Sequence, residues 1–276
     1  MDEKPARHEI TLRKVLYEIP GMDRAAIRRD IEFRATESGP LTMDVYRPAD
    51  APADARLPAV VFLMGFSDVG GRKRLGCAAK EMESYISWAK LVAASGLVAI
   101  THTTGTDPAN DTPAAFDYVV QNAASLGVDP NRIGVWACSG HGPTALSVLM
   151  RPSAVRPKCA ALLYPYTIDL DGFTEMAEAQ KAWGFANPAA GKTVADLPAN
   201  IPLFIARAGL DQMIYLNSSL DRFIAAALAC NAPLTLVNYS MGAHGFDLSD
   251  HSDETRDIVK QTLAFFVRAA ARSSID

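Results

Sequence analysis

The sequence has no apolar run near the roughly 18 to 20 residues that a membrane-crossing helix requires. Its best stretch, Leu91 to Ile100, is half as long and contains Ser95 and Gly96. Membrane insertion is therefore not expected. Excess positive charge is also missing: 27 Lys+Arg stand against 31 Asp+Glu, a formal net charge of −4. A nucleic-acid binder carries a basic surface that displaces counterions from phosphates, so nucleic acid is not an expected partner. The start Met1-Asp2-Glu3-Lys4-Pro5 lacks the basic segment and apolar stretch of a secretory signal, which predicts a cytoplasmic protein. Cysteines are few and scattered. Cys77, Cys138, Cys159 and Cys230 form no C-x-x-C pair, so neither zinc nor dithiol chemistry is indicated, and they read as reduced thiols, mostly core fillers. There is no internal repeat, low-complexity tract or linker to divide the 276 residues, and one domain spanning 1–276 is expected.

What is present is an alternation of short β-branched runs with helical patterns, the mark of an α/β protein. Ile27 to Arg34 and Leu41 to Arg47 alternate apolar and polar residues around Ser38-Gly39-Pro40, as an antiparallel hairpin with one wet face would. Six nearly continuous apolar runs follow: Pro58–Met64, Leu97–Thr101, Arg132–Ala137, Cys159–Tyr164, Pro202–Arg207 and Pro233–Tyr239. They suit parallel strands covered on both faces. Helices are predicted over Cys77–Ser95, Thr112–Leu126, Gly140–Met150, Met213–Cys230 and Asp253–Ala271, supplying the crossovers parallel strands need. The segment 165–201, with a helical piece near Thr174 to Ala182, is long for a connection and reads as a small cap over the sheet edge.

One passage is informative about chemistry. The apolar strand ending at Ala137 runs into Cys138-Ser139-Gly140-His141, and apolar residues at helical spacing follow. A nucleophile elbow needs this context: a sharp strand-to-helix turn lifts a serine hydroxyl above the sheet, with small residues two before and two after it. Ser139 stands at the apex. Ala137 fits the small position before it; His141 departs from glycine at the position after it. A second register has Cys138 as nucleophile, with Trp136 at the crowded strand position, and a plain helix N-cap is the ordinary alternative for Ser139.

A serine hydroxyl needs a histidine base, and the base a carboxylate that fixes its tautomer. Five histidines are available: His8, His102, His141, His244 and His251. His244 lies in a loop after the last apolar run and before the final helix, the chain position expected of the base. His251 suits a helix cap or the surface, and His141 is too close to Ser139 in sequence to approach it from the opposite side, so it packs or lines the pocket. His102, at another strand end, is the rival base. Asp211 follows the Pro202–Arg207 run and is the expected acid, with helix capping as its plainer role and Asp169 and Asp171 as alternatives. Oxyanion donors are expected at the N–H of Gly140, at a helix start, and of Phe66, where Gly65 lets the backbone approach a substrate oxygen. Gly65, His141, Tyr166, Trp183, Phe185 and Met213 are pocket candidates, as are Trp88 and Ile214. The basic run Arg72-Lys73-Arg74 reads as a solvated face, with a carboxylate-bearing substrate as its functional alternative.

Taken in order, LTMDVYRP, VVFLMGF, RIGVWACSG, FIARAGLD and GAHGFD resemble the α/β-hydrolase superfamily, in particular its dienelactone hydrolase and carboxylesterase-like branch. The resemblance spans nearly the whole chain. It implies a mainly parallel eight-stranded sheet flanked by helices, a Ser139, Asp211, His244 triad, and acyl transfer without cofactor or metal. Met64, where His is common before the glycine, together with Ala137 and His141, departs from the family pattern; cysteine nucleophiles also occur in that branch. The expected function is hydrolysis of small to medium, mostly uncharged carboxylic esters. Lactone hydrolysis, amide hydrolysis and an inactive small-molecule binding module are the alternatives. A homodimer is compatible with the sequence.

Overall fold

The computed structural model of the chain describes residues 6–37 and 39–271. Eight strands form one sheet: β1 (Ala26–Arg34), β2 (Leu41–Arg47), β3 (Leu57–Phe62), β4 (Val98–His102), β5 (Val128–Cys138), β6 (Ala160–Leu163), β7 (Leu203–Ala208) and β8 (Leu234–Tyr239). Their spatial order is β1-β2-β4-β3-β5-β6-β7-β8. β1 pairs antiparallel with β2, and β2 antiparallel with β4. Every later pairing is parallel. The expected antiparallel pair is thus present, although Ser38 of its turn lies outside the described residues, and β2, lying between β1 and β4, is buried on both faces rather than wet on one.

The helices are α1 (Asp68–Leu75), α2 (Glu83–Ala94), α3 (Pro108–Gln121), α4 (Ala123–Leu126), α5 (Gly142–Met150), α6 (Glu175–Trp183), α7 (Leu216–Ala229), α8 (Phe246–Ser249) and α9 (Asp253–Ala271). Alternate residues of each central strand point to opposite faces, so two cores form. Val61, Val135 and Leu162 pack toward α3, α5 and α7 through Phe116, Leu149 and Phe223. Val60, Phe62, Trp136 and Phe204 pack toward α2 and α9 through Trp88, Val259 and Phe266. No helix among the described residues is long and apolar enough to cross a membrane.

Three expectations are corrected. β8 is not covered on both faces: it is an edge strand with Thr235, Leu236 and Asn238 exposed, so its apolar run marks an edge rather than the sheet centre. The helix placed at Thr112 begins at Pro108, because Asp107 caps it through Asn110 N–H and Pro108 occupies the first turn, leaving Pro113 inside the helix. The helix placed from Cys77 starts at Glu83, after a 3-10 turn over Ala79–Glu81. Of the four free cysteines, read as mostly core fillers, Cys77 and Cys159 are buried, Cys138 is partly buried and Cys230 is exposed.

Candidate active site

β5 ends at Cys138, and Ser139 opens a 3-10 turn, Ser139–His141, that leads directly into α5. Ser139 has φ +50°, a left-handed conformation that a non-glycine residue adopts only when its surroundings hold it there. Tyr166 N–H donates to the Ser139 carbonyl at 3.0 Å, one of the contacts that holds the turn. The small residue the turn requires is Gly142 rather than residue 141: a Cβ there would lie 1.9 Å from the Tyr166 carbonyl oxygen. His141 is tolerated because its side chain is directed elsewhere, toward Gly65 and Tyr85.

Three polar side chains from separate strand ends meet above the sheet. Ser139 Oγ lies 2.9 Å from His244 Nε2, and His244 Nδ1 lies 2.6 Å from Asp211 Oδ2. The carboxylate accepts only, so Nδ1 carries the hydrogen and Nε2 is left to accept from the serine hydroxyl. The Asp211 side chain is fully buried, whereas that of His244 is 30% exposed. The other Asp211 oxygen accepts Met213 N–H at 2.9 Å, so this residue also caps the turn before α7, the plainer role the sequence offered. Ser139 is not a helix N-cap: Cys138 and His141 occupy the cap positions of the 3-10 turn and of α5. The rivals are engaged elsewhere. Asp169 accepts Met176 N–H, and Asp171 is an exposed left-handed turn residue. His102 is buried with Nδ1 at the Thr103 carbonyl, and burial lowers its pKa to about 4. His251 is exposed. The Cys138 thiol lies 4.0 Å from the Tyr85 hydroxyl, and burial pushes it far above the ordinary thiol range.

Gly140 N–H belongs to the first turn of the helical segment, where amides have no intrahelical acceptor. Opposite it, the Met64-Gly65-Phe66 strand end is held closely: a Cβ on Gly65 would lie 2.7 Å from the Gly140 carbonyl oxygen. The Gly65 carbonyl accepts Ala186 N–H at 2.7 Å. In a trans peptide the following N–H points the opposite way, so the Phe66 N–H is turned from Ala186, and it meets no acceptor among the described residues.

Ser139 opens into a cavity of about 500 Å³. On one side stand Phe66, Tyr166, Trp183, Phe185 and Met213, with Phe185 packed against both Phe66 and Tyr166. The 165–201 segment therefore covers this side of the serine, through Ala186 and Phe185 as well as Tyr166. Of the sequence's pocket candidates, His141 and Trp88 also line the cavity; Gly65 and Ile214 do not. The sequence missed the other half of the cavity. Tyr85, Trp136, Tyr164 and Asp247 line it on the α2 side, and Ile10 and Arg13 of the N-terminal segment together with Arg74 border it. Asp247 accepts Trp88 Nε1–H at 2.8 Å and Tyr164 O–H at 2.6 Å, and its burial raises its pKa. Tyr164 in turn stands edge-on to His244 at 4.9 Å between centroids. Arg72 of the basic run pairs with Glu81, whereas Arg13 and Arg74 border the cavity. No spacing rule would have singled these residues out, since the N-terminal segment reaches the site only through tertiary contacts. Among the described residues there is no group of three or more His, Cys, Asp or Glu arranged to hold a metal ion.

A mainly parallel eight-stranded sheet, with a strained serine where a central strand turns into a helix, defines the α/β-hydrolase fold. Comparison with solved structures agrees. Native esterase Est2 of the planctomycete Thermogutta terrifontis is 20% identical, with TM-score 0.65 over 97% of this chain and 99% of that one. Its propionate-bound form gives 0.64 at 20% identity over 92% and 98%. Vibralactone cyclase gives 0.68 at 17% identity over 92% of this chain and 82% of its own. No protein-family model and no curated protein sequence matches the chain. The likenesses establish the fold.

Proposed function

We propose that the protein is a serine hydrolase that cleaves carboxylic esters through an acyl-enzyme, with Ser139 as nucleophile, His244 as base and Asp211 as the acid that orients it. The observation that carries this reading is the continuous hydrogen-bonded path from Ser139 Oγ through His244 to the buried Asp211 carboxylate. His244 Nε2 removes the hydroxyl proton as Oγ attacks the ester carbonyl carbon. The N–H groups of Gly140 and Phe66 hold the oxyanion. The tetrahedral intermediate collapses with expulsion of the alcohol, which takes the proton from His244. Water, deprotonated by the same imidazole, then attacks the acyl-enzyme, and the acid is released as Ser139 recovers its proton. Residues 165–201 act as a cap that walls off one side of the pocket. The likeness of the whole chain to esterase structures supports ester bonds as the target.

A fluorophosphonate probe tests the nucleophile directly. One adduct per chain is expected, located on Ser139 by peptide mass spectrometry and lost in Ser139→Ala. That variant should keep its fold, and its turnover of 4-nitrophenyl esters should drop by about 10⁴ or more. Labelling of Cys138, or full activity in Ser139→Ala, overturns the assignment. Running short and long acyl esters, lactones and amides in parallel measures which acyl bond is preferred.

A further inference from the structure

His141 and the Met64-Gly65 pair both depart from the family pattern, and in the structure they meet. Gly65 N–H donates to His141 Nδ1 at 2.6 Å. A backbone amide can only donate, so Nδ1 must present its lone pair and the ring proton must sit on Nε2. That proton is directed at the Tyr85 hydroxyl, 2.6 Å away. The imidazole is 5% exposed and stands edge-on to Phe66 and Tyr85, at 5.1 and 5.9 Å between centroids. It is held neutral: burial lowers its pKa to about 3. Both ring nitrogens are therefore used, and the two bonds require one tautomer.

The bond constrains the part of the backbone that matters for the oxyanion. Two peptide planes precede and carry the Phe66 N–H. The Met64–Gly65 plane is held at its carbonyl by Thr112 Oγ1–H at 2.6 Å and at its N–H by His141. The Gly65–Phe66 plane is held at its carbonyl by Ala186 N–H at 2.7 Å. The Phe66 carbonyl accepts Thr104 Oγ1–H at 2.6 Å. Phe66 N–H alone is left without a protein acceptor among the described residues. His141 follows Ser139 by two residues, so its bond to Gly65 also ties this loop to the nucleophile turn.

We propose that His141 is a positioning residue for transition-state stabilisation: its neutral, Nε2-protonated ring fixes the Gly65 amide and so aims the Phe66 N–H at the oxyanion, with Tyr85 holding the tautomer. This rests on the serine-esterase reading above. In consequence, the histidine that breaks the small-residue pattern after Ser139 does so in service of the oxyanion site.

The test compares His141→Leu, which fills the space without an acceptor, with His141→Asn, whose side-chain oxygen can take the place of Nδ1, and with Tyr85→Phe. Each is assayed with 4-nitrophenyl butyrate and for inhibition by a trifluoromethyl ketone, whose adduct on Ser139 carries the oxyanion. Removal of an oxyanion donor costs about 10²–10³ in turnover. His141→Leu is expected to lose roughly that much in kcat, with KM little changed and ketone affinity weakened in proportion. His141→Asn should recover most of kcat, and Tyr85→Phe should show a smaller loss of the same pattern. Unchanged kcat in His141→Leu, or equal losses in the Leu and Asn variants, overturns the proposal, because packing alone would then account for the residue. Fluorophosphonate labelling separates the two levels: labelled Ser139 with an indifferent His141 sinks this inference only, whereas an unlabelled wild-type serine sinks the esterase reading beneath it.

Discussion

Asp211 shows how one carboxylate serves two local purposes. One oxygen faces His244 and the other the Met213 amide, and the side chain is fully buried. Asp211→Asn keeps the shape but presents an amide that can donate to Nδ1, which favours the imidazole tautomer with the proton on Nε2, the nitrogen that must accept from serine. Turnover is expected to fall by about 10³ to 10⁴ with little change in KM, measured by steady-state kinetics. Asp169→Asn, which alters a carboxylate that accepts the Met176 amide away from Ser139, should leave turnover within a few-fold of wild type. At this scale the sequence was informative about placement: Ser139, Asp211 and His244, singled out by their chain order at strand ends, lie in one hydrogen-bonded row. Tyr85, Tyr164 and Asp247 leave no such signature: they lie in α2, just past β6 and in the short α8, and only their burial around Ser139 and His244 distinguishes them.

Among elements, the antiparallel side of the sheet depends on a buried cation. Lys80, 3% exposed at its side chain, reaches Asp44 on β2 and Asp30 on β1, both at 2.6 Å. Asp30 sits at an irregularity of the β1–β2 register with φ +54°, and its N–H donates to Asp44. Removing one partner of a buried pair costs up to about 3–5 kcal/mol, and here Arg29, 3.6 Å from Asp44, offsets part of that cost. Lys80→Met should lower the unfolding free energy by that order in urea titrations, and Lys80→Met combined with Asp44→Asn should recover part of the loss. The apolar runs revealed the strands because a sheet covered on both faces demands them. They misplaced β8, since an apolar run is also compatible with an edge. Helix α1 went unread: Gly70 and Gly71 are poor helix formers, and the segment is held by the Ser67 cap, the αL residue Gly76 and the buried Asp68, whose carboxylate accepts Ala79 and Thr104 amides.

For the whole molecule, two buried neutral histidines make stability depend on pH. His102 has a folded pKa near 4 against 6.5 for the free side chain, and His141 lies lower still. Between those values the unfolded chain binds a proton that the native protein refuses, so each histidine makes the fold less stable as pH falls from about 6.5 toward its folded value. Asp68, raised to about 6, acts with the opposite sign, favouring the fold as pH falls below 6. The contribution of His102 can be isolated. His102→Phe, an apolar ring in contact with Phe33, should reduce the pH slope of stability between about 4 and 6.5 by up to one proton, about 1.4 kcal/mol per pH unit. An unchanged slope in denaturant titrations across that range would count against a neutral buried imidazole.

The cavity that begins at Ser139 takes wall residues from Ile10 near one end of the described chain and Leu248 toward the other. Segments that far apart are joined around a common void, so occupancy and folding are thermodynamically linked. A compound binding only the native cavity at a hundredfold excess over its Kd adds about 2.7 kcal/mol to the stability of the chain. Part of that is felt by the short N-terminal turn Glu9–Leu12, whose Ile10 and Leu12 are otherwise largely exposed. How firmly the Glu9–Leu12 turn stays docked is thus set in part by what the cavity is holding.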